Sequence, residues 1–313
     1  MSAPLLSARG ASKWYGQVIA VNDVTLDIQP GITALLGPNG AGKSTLLGLF
    51  TGQLRPTRGL VEAFGEPIWD NPRLNERIGL CHQYDNFYEE MTAVEFLRFI
   101  CRLTGFRGTA ARQRADYVLD RVGLEKCDRV RAIRTYSKGM RQRTKLAQAL
   151  VHEPELLFLD EPMTGLDPVG RYEISKLLEG LAKMGKSIVV STHILHEVEA
   201  LTDQILLLAE GRILAEGDIH QIRASLEQHP YQIRVVSNAA RALAVLLTAD
   251  EHVSAVKIQE LTVDREALTI STTRADLVFD SLPRHAQTAG AYIEEISCPD
   301  DNLESVFDYL VGQ

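Results

Sequence analysis

The chain has 313 residues, 45% of them hydrophobic and 24% charged, which is enough for about two domains with their own cores and no covalent staples. A formal net charge of -8 argues against nucleic acid or an anionic membrane surface as a partner. The longest apolar runs, Leu156-Leu157-Phe158-Leu159 and Ile205-Leu206-Leu207-Leu208-Ala209, fall far short of the roughly 20 residues that span a bilayer. The opening MSAPLLSARGASKWYG has no long apolar stretch after a basic start, so no secretory leader is expected and any membrane association must run through a partner. Cys81, Cys101, Cys127 and Cys298 lie far apart with no CxxC pair, so buried free thiols in a reducing compartment are expected, not zinc ligands or disulfides.

From the start to about residue 220, short apolar strands alternate with helical patterns, which predicts an α/β domain with a mostly parallel sheet. Ile32-Thr33-Ala34-Leu35-Leu36 is the first buried strand. It runs into Gly37-Pro38-Asn39-Gly40-Ala41-Gly42-Lys43-Ser44-Thr45, which satisfies GxxxxGK[ST] between a strand and a helix and is therefore read as a phosphate-binding loop. Glycines let successive N–H groups curl round the β-phosphate, the helix start adds its dipole, and Lys43 supplies a point charge to the β/γ oxygens. Ser44 is left to ligate Mg²⁺. Helix-spaced apolar residues over Ala93 to Leu103, Ala110 to Val122 and Gly139 to His152 predict an inserted helical subdomain, about 86–150.

Leu156 to Leu159 predicts a strand ending in Asp160-Glu161, and consecutive side chains on a strand point in opposite directions, so the two acids can hold separate jobs. Asp160 would accept from a water of the Mg²⁺ shell, and Glu161 would face the γ-phosphate and polarise the attacking water. Ser187 to Ser191 is a further strand ending at a polar motif. Gly211 to Gly217 reads as an edge strand bounded by glycines, followed by a helix stopping near His229-Pro230, which puts a domain boundary at 228/229. Beyond it the order is strand Tyr231 to Val236, helix Ala239 to Leu247, strands Val253 to Gln259 and Ala267 to Thr272, helix Ala275 to Thr288, strand Tyr292 to Ser297 and helix Leu303 to Leu310. That βαββαβ order predicts a small α+β, ferredoxin-like domain with one extra helix.

Tyr136-Ser137-Lys138-Gly139-Met140-Arg141-Gln142-Arg143 resembles the signature motif of ABC transporter nucleotide-binding subunits, with Tyr136, Lys138 and Met140 in place of the usual leucine, glycine and glutamine. The SKGM variant resembles the branch serving ABC-2 type exporters, drug or polysaccharide exporters among them. The resemblance covers about Ser7 to Leu226, and the remainder is similar to the accessory domain that follows some exporter ATPases. It implies a P-loop ATPase that binds ATP and Mg²⁺. By the same resemblance Tyr15, or its competitor Trp14, stacks on adenine. Gln83 joins the two subdomains and senses Mg²⁺ and the γ-phosphate, and His193 contacts the γ-phosphate. Asp167, in Gly165-Leu166-Asp167-Pro168, crosses the subunit interface, although Met163 stands where a threonine is usual. The neighbouring His196 is assigned no role, and Glu197 and Glu199 suggest a solvated face.

Two anion-binding helix starts, after Gly42 and at Ser137 and Gly139, are separated by the helical insertion, so one nucleotide is not expected to touch both in one copy. Head-to-tail pairing would place each ATP between the P-loop of one copy and the signature of the other. The expected assembly is a pair of copies under an integral membrane permease, at the cytoplasmic face, with no nucleic acid. Two other readings stand beside it: a non-transport ABC ATPase acting on nucleic acid or ribosomes, and a regulatory module in which the C-terminal domain senses a ligand.

Overall fold

The computed structural model describes residues 4–194, 197–198, 201–219, 222, 231–262 and 265–298. The chain divides into two compact units, Met1–Asp218 and Ile219–Gln313. The expected boundary at 228 and the expected helix Leu303 to Leu310 lie outside the described residues.

The first unit is organised by a six-stranded sheet of β3 (Ile32–Leu36), β6 (Ile78–Cys81), β7 (Leu156–Asp160), β8 (Ser187–Thr192), β9 (Gln204–Ala209) and β10 (Arg212–Asp218). Its order is β10-β9-β3-β8-β7-β6, parallel except for β10, which pairs antiparallel with β9 at one edge. Both faces are buried, and β7 shows how. Leu156 and Phe158 enter one apolar cluster while the alternating Leu157 and Leu159 enter another, so the strand has no polar face and reads as a continuous apolar run.

One cluster lies against α1 (Lys43–Phe50) and a second, antiparallel sheet of β1 (Leu6–Tyr15), β2 (Val18–Ile28), β4 (Arg58–Ala63) and β5 (Glu66–Pro67), in the order β2-β1-β4-β5. This sheet departs from the expected alternation of strand and helix from the chain start. A two-residue turn at Gly16-Gln17 joins β1 directly to β2, with Gly16 at φ 62°, and the inward residues in the second half of β2 (Val24, Leu26, Ile28) alternate as in a half-buried strand, not a parallel one.

The other cluster holds the helical insertion: α3 (Ala93–Leu103), α4 (Gly108–Arg121) and α5 (Lys138–Leu150), together with α6 (Pro168–Lys183). The short α2 (Pro72–Asn75) precedes β6. Thr92 starts α3 through a capping box with Glu95, satisfying two helix-end N–H groups that would otherwise lack acceptors.

The second unit contains β11 (Tyr231–Ser237), α7 (Ala240–Leu247), β12 (Ala255–Thr262), β13 (Arg265–Thr272), α8 (Ala275–Ala289) and β14 (Ile293–Ser297). The sheet order β12-β13-β11-β14, antiparallel throughout, is the ferredoxin-like arrangement that βαββαβ predicts. Ile233, Val235, Leu268 and Ile270 from the strands and Leu243, Leu247, Val278 and Leu282 from the helices build its own core. Among the described residues no helix is long and apolar enough to cross a membrane. The four thiols are free, but only Cys81 and Cys101 are buried. Cys127 is exposed in the loop after α4 and Cys298 is half-buried, which corrects the expectation for those two.

Candidate functional site

The glycine-rich loop links β3 to α1, whose first residue is Lys43. Gly40 and Gly42 have φ of 84° and 104°, in the left-handed region that favours glycine. A side chain at Gly42 would also collide with the Ala20 carbonyl of β2, and the loop is tied down further where Gly211 N–H donates to the Ala41 carbonyl at 2.9 Å. The N–H groups in the first turn of α1 have no partner inside the helix, so Lys43, Ser44 and Thr45 present donors where the helix dipole is positive. Ser44 is exposed and Thr45 half-buried.

Lys43 is only 6% exposed. Its Nζ donates to the carbonyls of Gly37 and Pro38 at 2.8 and 3.2 Å and stands 3.4 Å from the Glu161 carboxylate. These are the acceptors a phosphate would exchange with as it enters the loop. Asp160 and Glu161, both buried at the end of β7, have different side-chain partners. Asp160 accepts from Ser191 Oγ at 2.5 Å. The Glu161 carboxylate accepts from Thr164 Oγ1 at 2.7 Å and pairs with His193 Nδ1 at 2.9 Å.

Glu161 sits at φ 49°, a strained conformation for a non-glycine residue, held by its N–H shared between the Ser191 carbonyl and Oγ, each at 3.1 Å. Burial pushes its carboxyl up, but the Thr164 and His193 hydrogen bonds and the Lys43 charge outweigh it and hold the group below the usual carboxylate range. It is therefore an ionised acceptor at neutral pH, and the stability it lends is full above the ordinary glutamate pKa and lost as pH falls through the depressed one.

Three helpers were not singled out from sequence. Ser191 is the next-to-last residue of β8, and only the parallel register pairing it with Asp160 shows that its hydroxyl donates to the Asp160 carboxylate and accepts from the Glu161 N–H. Thr164 supplies the hydroxyl that Met163 cannot, since the Met163 side chain is buried in the apolar core. Lys145, 8% exposed in the middle of α5, donates to the carbonyls of His82 and Gln83. Glu197 corrects the expected solvated face. It is 6% exposed and accepts from Thr192 Oγ1 at 3.0 Å, facing inward beside Arg171, while His196 and Glu199 lie outside the described residues.

Trp14 and Tyr15 are now distinguishable. Trp14 is half-buried under the Arg58 guanidinium, 4.8 Å from its ring, whereas Tyr15 is 48% exposed at the β1–β2 turn with Lys13 Nζ 5.4 Å from its ring centroid. Ser137 caps α5, its Oγ accepting from Met140 N–H at 3.3 Å, and Asp167 caps α6, its carboxylate accepting from Gly170 N–H at 2.9 Å. Among the described residues no hydrogen bond or ion pair joins Ser137, Gly139 or Asp167 to the cluster of Lys43, Glu161 and His193. Ser44, Asp160 and Gln83 offer a hydroxyl, one carboxylate and an amide, all oxygen donors with a single charge, a set that fits a hard cation that keeps waters and substrate phosphates as its other ligands.

The family pattern described as ABC transporter matches residues 21–164, a span holding the phosphate loop, Gln83, Ser137 and both acids. A daunorubicin resistance ATP-binding protein, DrrA3 of Streptomyces coeruleorubidus, is 34% identical over 319 residues, covering 100% of this chain and 97% of that protein. A Nod factor export ATP-binding protein of Cupriavidus metallidurans is 38% identical over 221 residues, covering 70% of this chain and 72% of that protein. The dimeric ATP-binding cassette MJ0796, bound to ADP and Pi in a post-hydrolysis state, superposes with a TM-score of 0.63 at 26% identity, covering 68% of this chain and 98% of that one. By its matches to that family pattern and to these relatives, the chain belongs to the ATP-binding, ATP-hydrolysing family of ABC transporter subunits.

Proposed function

We propose that the chain is the ATPase subunit of an exporter, working as a head-to-tail pair at the cytoplasmic face of a membrane beneath a separate permease. The observation that carries this reading is the Glu161 carboxylate, held ionised between Lys43, Thr164 and His193 at the mouth of a phosphate loop. In this reading ATP lies along the loop with its β-phosphate at the N–H groups of Asn39 to Thr45, and adenine stacks on Tyr15. Lys43 leaves the Gly37 and Pro38 carbonyls for the β/γ oxygens. Ser44, Gln83 and Asp160 would hold Mg²⁺, which when bound neutralises charge on the phosphates. Glu161 orients the attacking water and takes its proton, while His193 holds that carboxylate and contacts the γ-phosphate.

Among the described residues Ser137, Gly139 and Asp167 have no hydrogen bond or ion pair to this cluster, which is what the reading needs if they serve the nucleotide of the opposite copy. Hydrolysis then removes the γ-phosphate contacts that favour the closed pair and lets it open. Support for pairing comes from the dimeric cassette with ADP and Pi, and support for export from the relative named for Nod factor export. The second unit carries no phosphate motif and is read as an accessory domain. Sedimentation of the chain with saturating ATP and a Glu161→Gln substitution should show its mass double, and Ser137→Arg in that background should return it to a single copy. Unchanged pairing in the Ser137 variant would show that the second anion site is not used.

A further inference from the structure

Gln83 lies in the loop that leaves β6 after Cys81, and α5 holds that loop along its length. Gln142 Nε2 lies 3.6 Å from Cys81 Sγ. Lys145 Nζ donates to the carbonyls of His82 at 3.2 Å and Gln83 at 2.8 Å and stands 3.2 Å from the Asp85 carboxylate. Arg141, one turn earlier, bonds Glu89 through two nitrogens at 2.8 and 2.7 Å and reaches Asp85 at 3.3 Å. Residues four apart share a helix face, so Arg141 and Lys145 grip the loop from one side.

Lys145 is the unusual member. An ammonium that is 8% exposed loses its hydration, and that is tolerable only where its three donors find acceptors, as they do here in two carbonyls and a carboxylate. A hydrophobic residue would fill the same helix position without that penalty, so packing alone does not call for a lysine. What the lysine adds is a fixed link between the backbone of Gln83 and the helix that begins at Ser137.

We propose that Lys145 is a positioning residue that locks the Gln83 loop onto α5, so that the group meeting Mg²⁺ and the γ-phosphate in one site moves as a rigid piece with the Ser137 end that meets the opposite nucleotide. This rests on the reading of Gln83 given above. Without the lysine the two carbonyls turn to water and the loop samples other conformations, which weakens only those states in which Gln83 is engaged. Nucleotide held by the phosphate loop alone is unaffected.

The test uses the full chain carrying Glu161→Gln, with titration of Mg²⁺ at fixed ATP and titration of ADP without Mg²⁺. Lys145→Met, which keeps the apolar stem, should raise the Mg²⁺ needed for half-maximal ATP binding about tenfold and leave ADP affinity within about twofold. Gln83→Ala should produce the same shift, and the double variant should shift no further, since both act through one contact. A shift in Gln83→Ala with none in Lys145→Met overturns the proposal alone. No shift in either variant removes the reading of Gln83, and the proposal with it. Additive shifts, or equal weakening of ADP, would make Lys145 merely structural and also overturn it. If Lys145→Met fails to fold, Asp85→Asn carries the test with a smaller shift of the same kind, and an unshifted Asp85 variant is decisive against the lock.

Discussion

Replacing Glu161 with glutamine should slow ATP hydrolysis by roughly two to four orders of magnitude while leaving Mg-ATP affinity within a few-fold of the parent. The carboxylate is buried, ionised and aimed by donors on two sides, Thr164 and His193. The amide keeps the shape and can still accept from Thr164, but it has no negative charge to take a proton from water. In the proposed reading binding is carried by the loop N–H groups, Lys43 and the Mg²⁺ ligands, and of these the substitution touches only Lys43, which loses a carboxylate 3.4 Å away that the phosphate would replace. Steady-state phosphate release with an equilibrium titration separates the two quantities. A variant that hydrolyses at the parental rate would return the role of base to another group, and a variant that no longer binds would make Glu161 a binding residue.

Lys43→Ala should weaken Mg-ATP binding about 10- to 100-fold, the range of a charge-assisted hydrogen bond lost without replacement. The lysine is held by two carbonyls and the Glu161 carboxylate, so its removal also leaves that acid with fewer positive neighbours and raises its pKa. The variant should therefore lose hydrolysis beyond what reduced occupancy explains. Isothermal titration with Mg-ATP gives the affinity, and single-turnover hydrolysis at saturation gives the remainder. An unchanged dissociation constant would remove Lys43 from the phosphate site.

What the sequence made readable follows from how parallel sheets are built. Strands buried on both faces are continuous apolar runs, so Ile32–Leu36, Leu156–Asp160 and Ser187–Thr192 stand out, and sites gather at their carboxyl ends, where the polar motifs begin. The second unit was readable for a different reason: its antiparallel strands and amphipathic helices carry the two periodicities cleanly, and βαββαβ has few ways to pack. The N-terminal antiparallel sheet was obscured by bulges in β1, where register shifts at Ala8, Ala11 and Lys13 break the alternation.

Residues that act on other residues were the hardest to see. Ser191 and Thr164 matter because of a strand register and a tight turn that bring hydroxyls to two carboxylates: the first pair is 31 residues apart in sequence, and the second, three apart, depends on a turn that no spacing motif marks. Glu197 follows an exposed-looking histidine and glutamate pattern, yet its carboxylate turns in to Thr192. Lys145 sits among helix-forming residues where a lysine is ordinarily solvated, and only the packing of α5 on the loop after β6 reveals its burial.

The central claim, an ATPase that energises a separate membrane-spanning protein, is tested most directly by isolating the tagged chain from native membranes in mild detergent and measuring composition and ATP hydrolysis together. The account predicts two copies of this chain per assembly with a polytopic membrane protein in fixed ratio, and Mg²⁺-dependent hydrolysis that Glu161→Gln abolishes without dissolving the assembly. Recovery of the chain with nucleic acid or ribosomes in place of a membrane protein, while ATPase activity is intact, would contradict it.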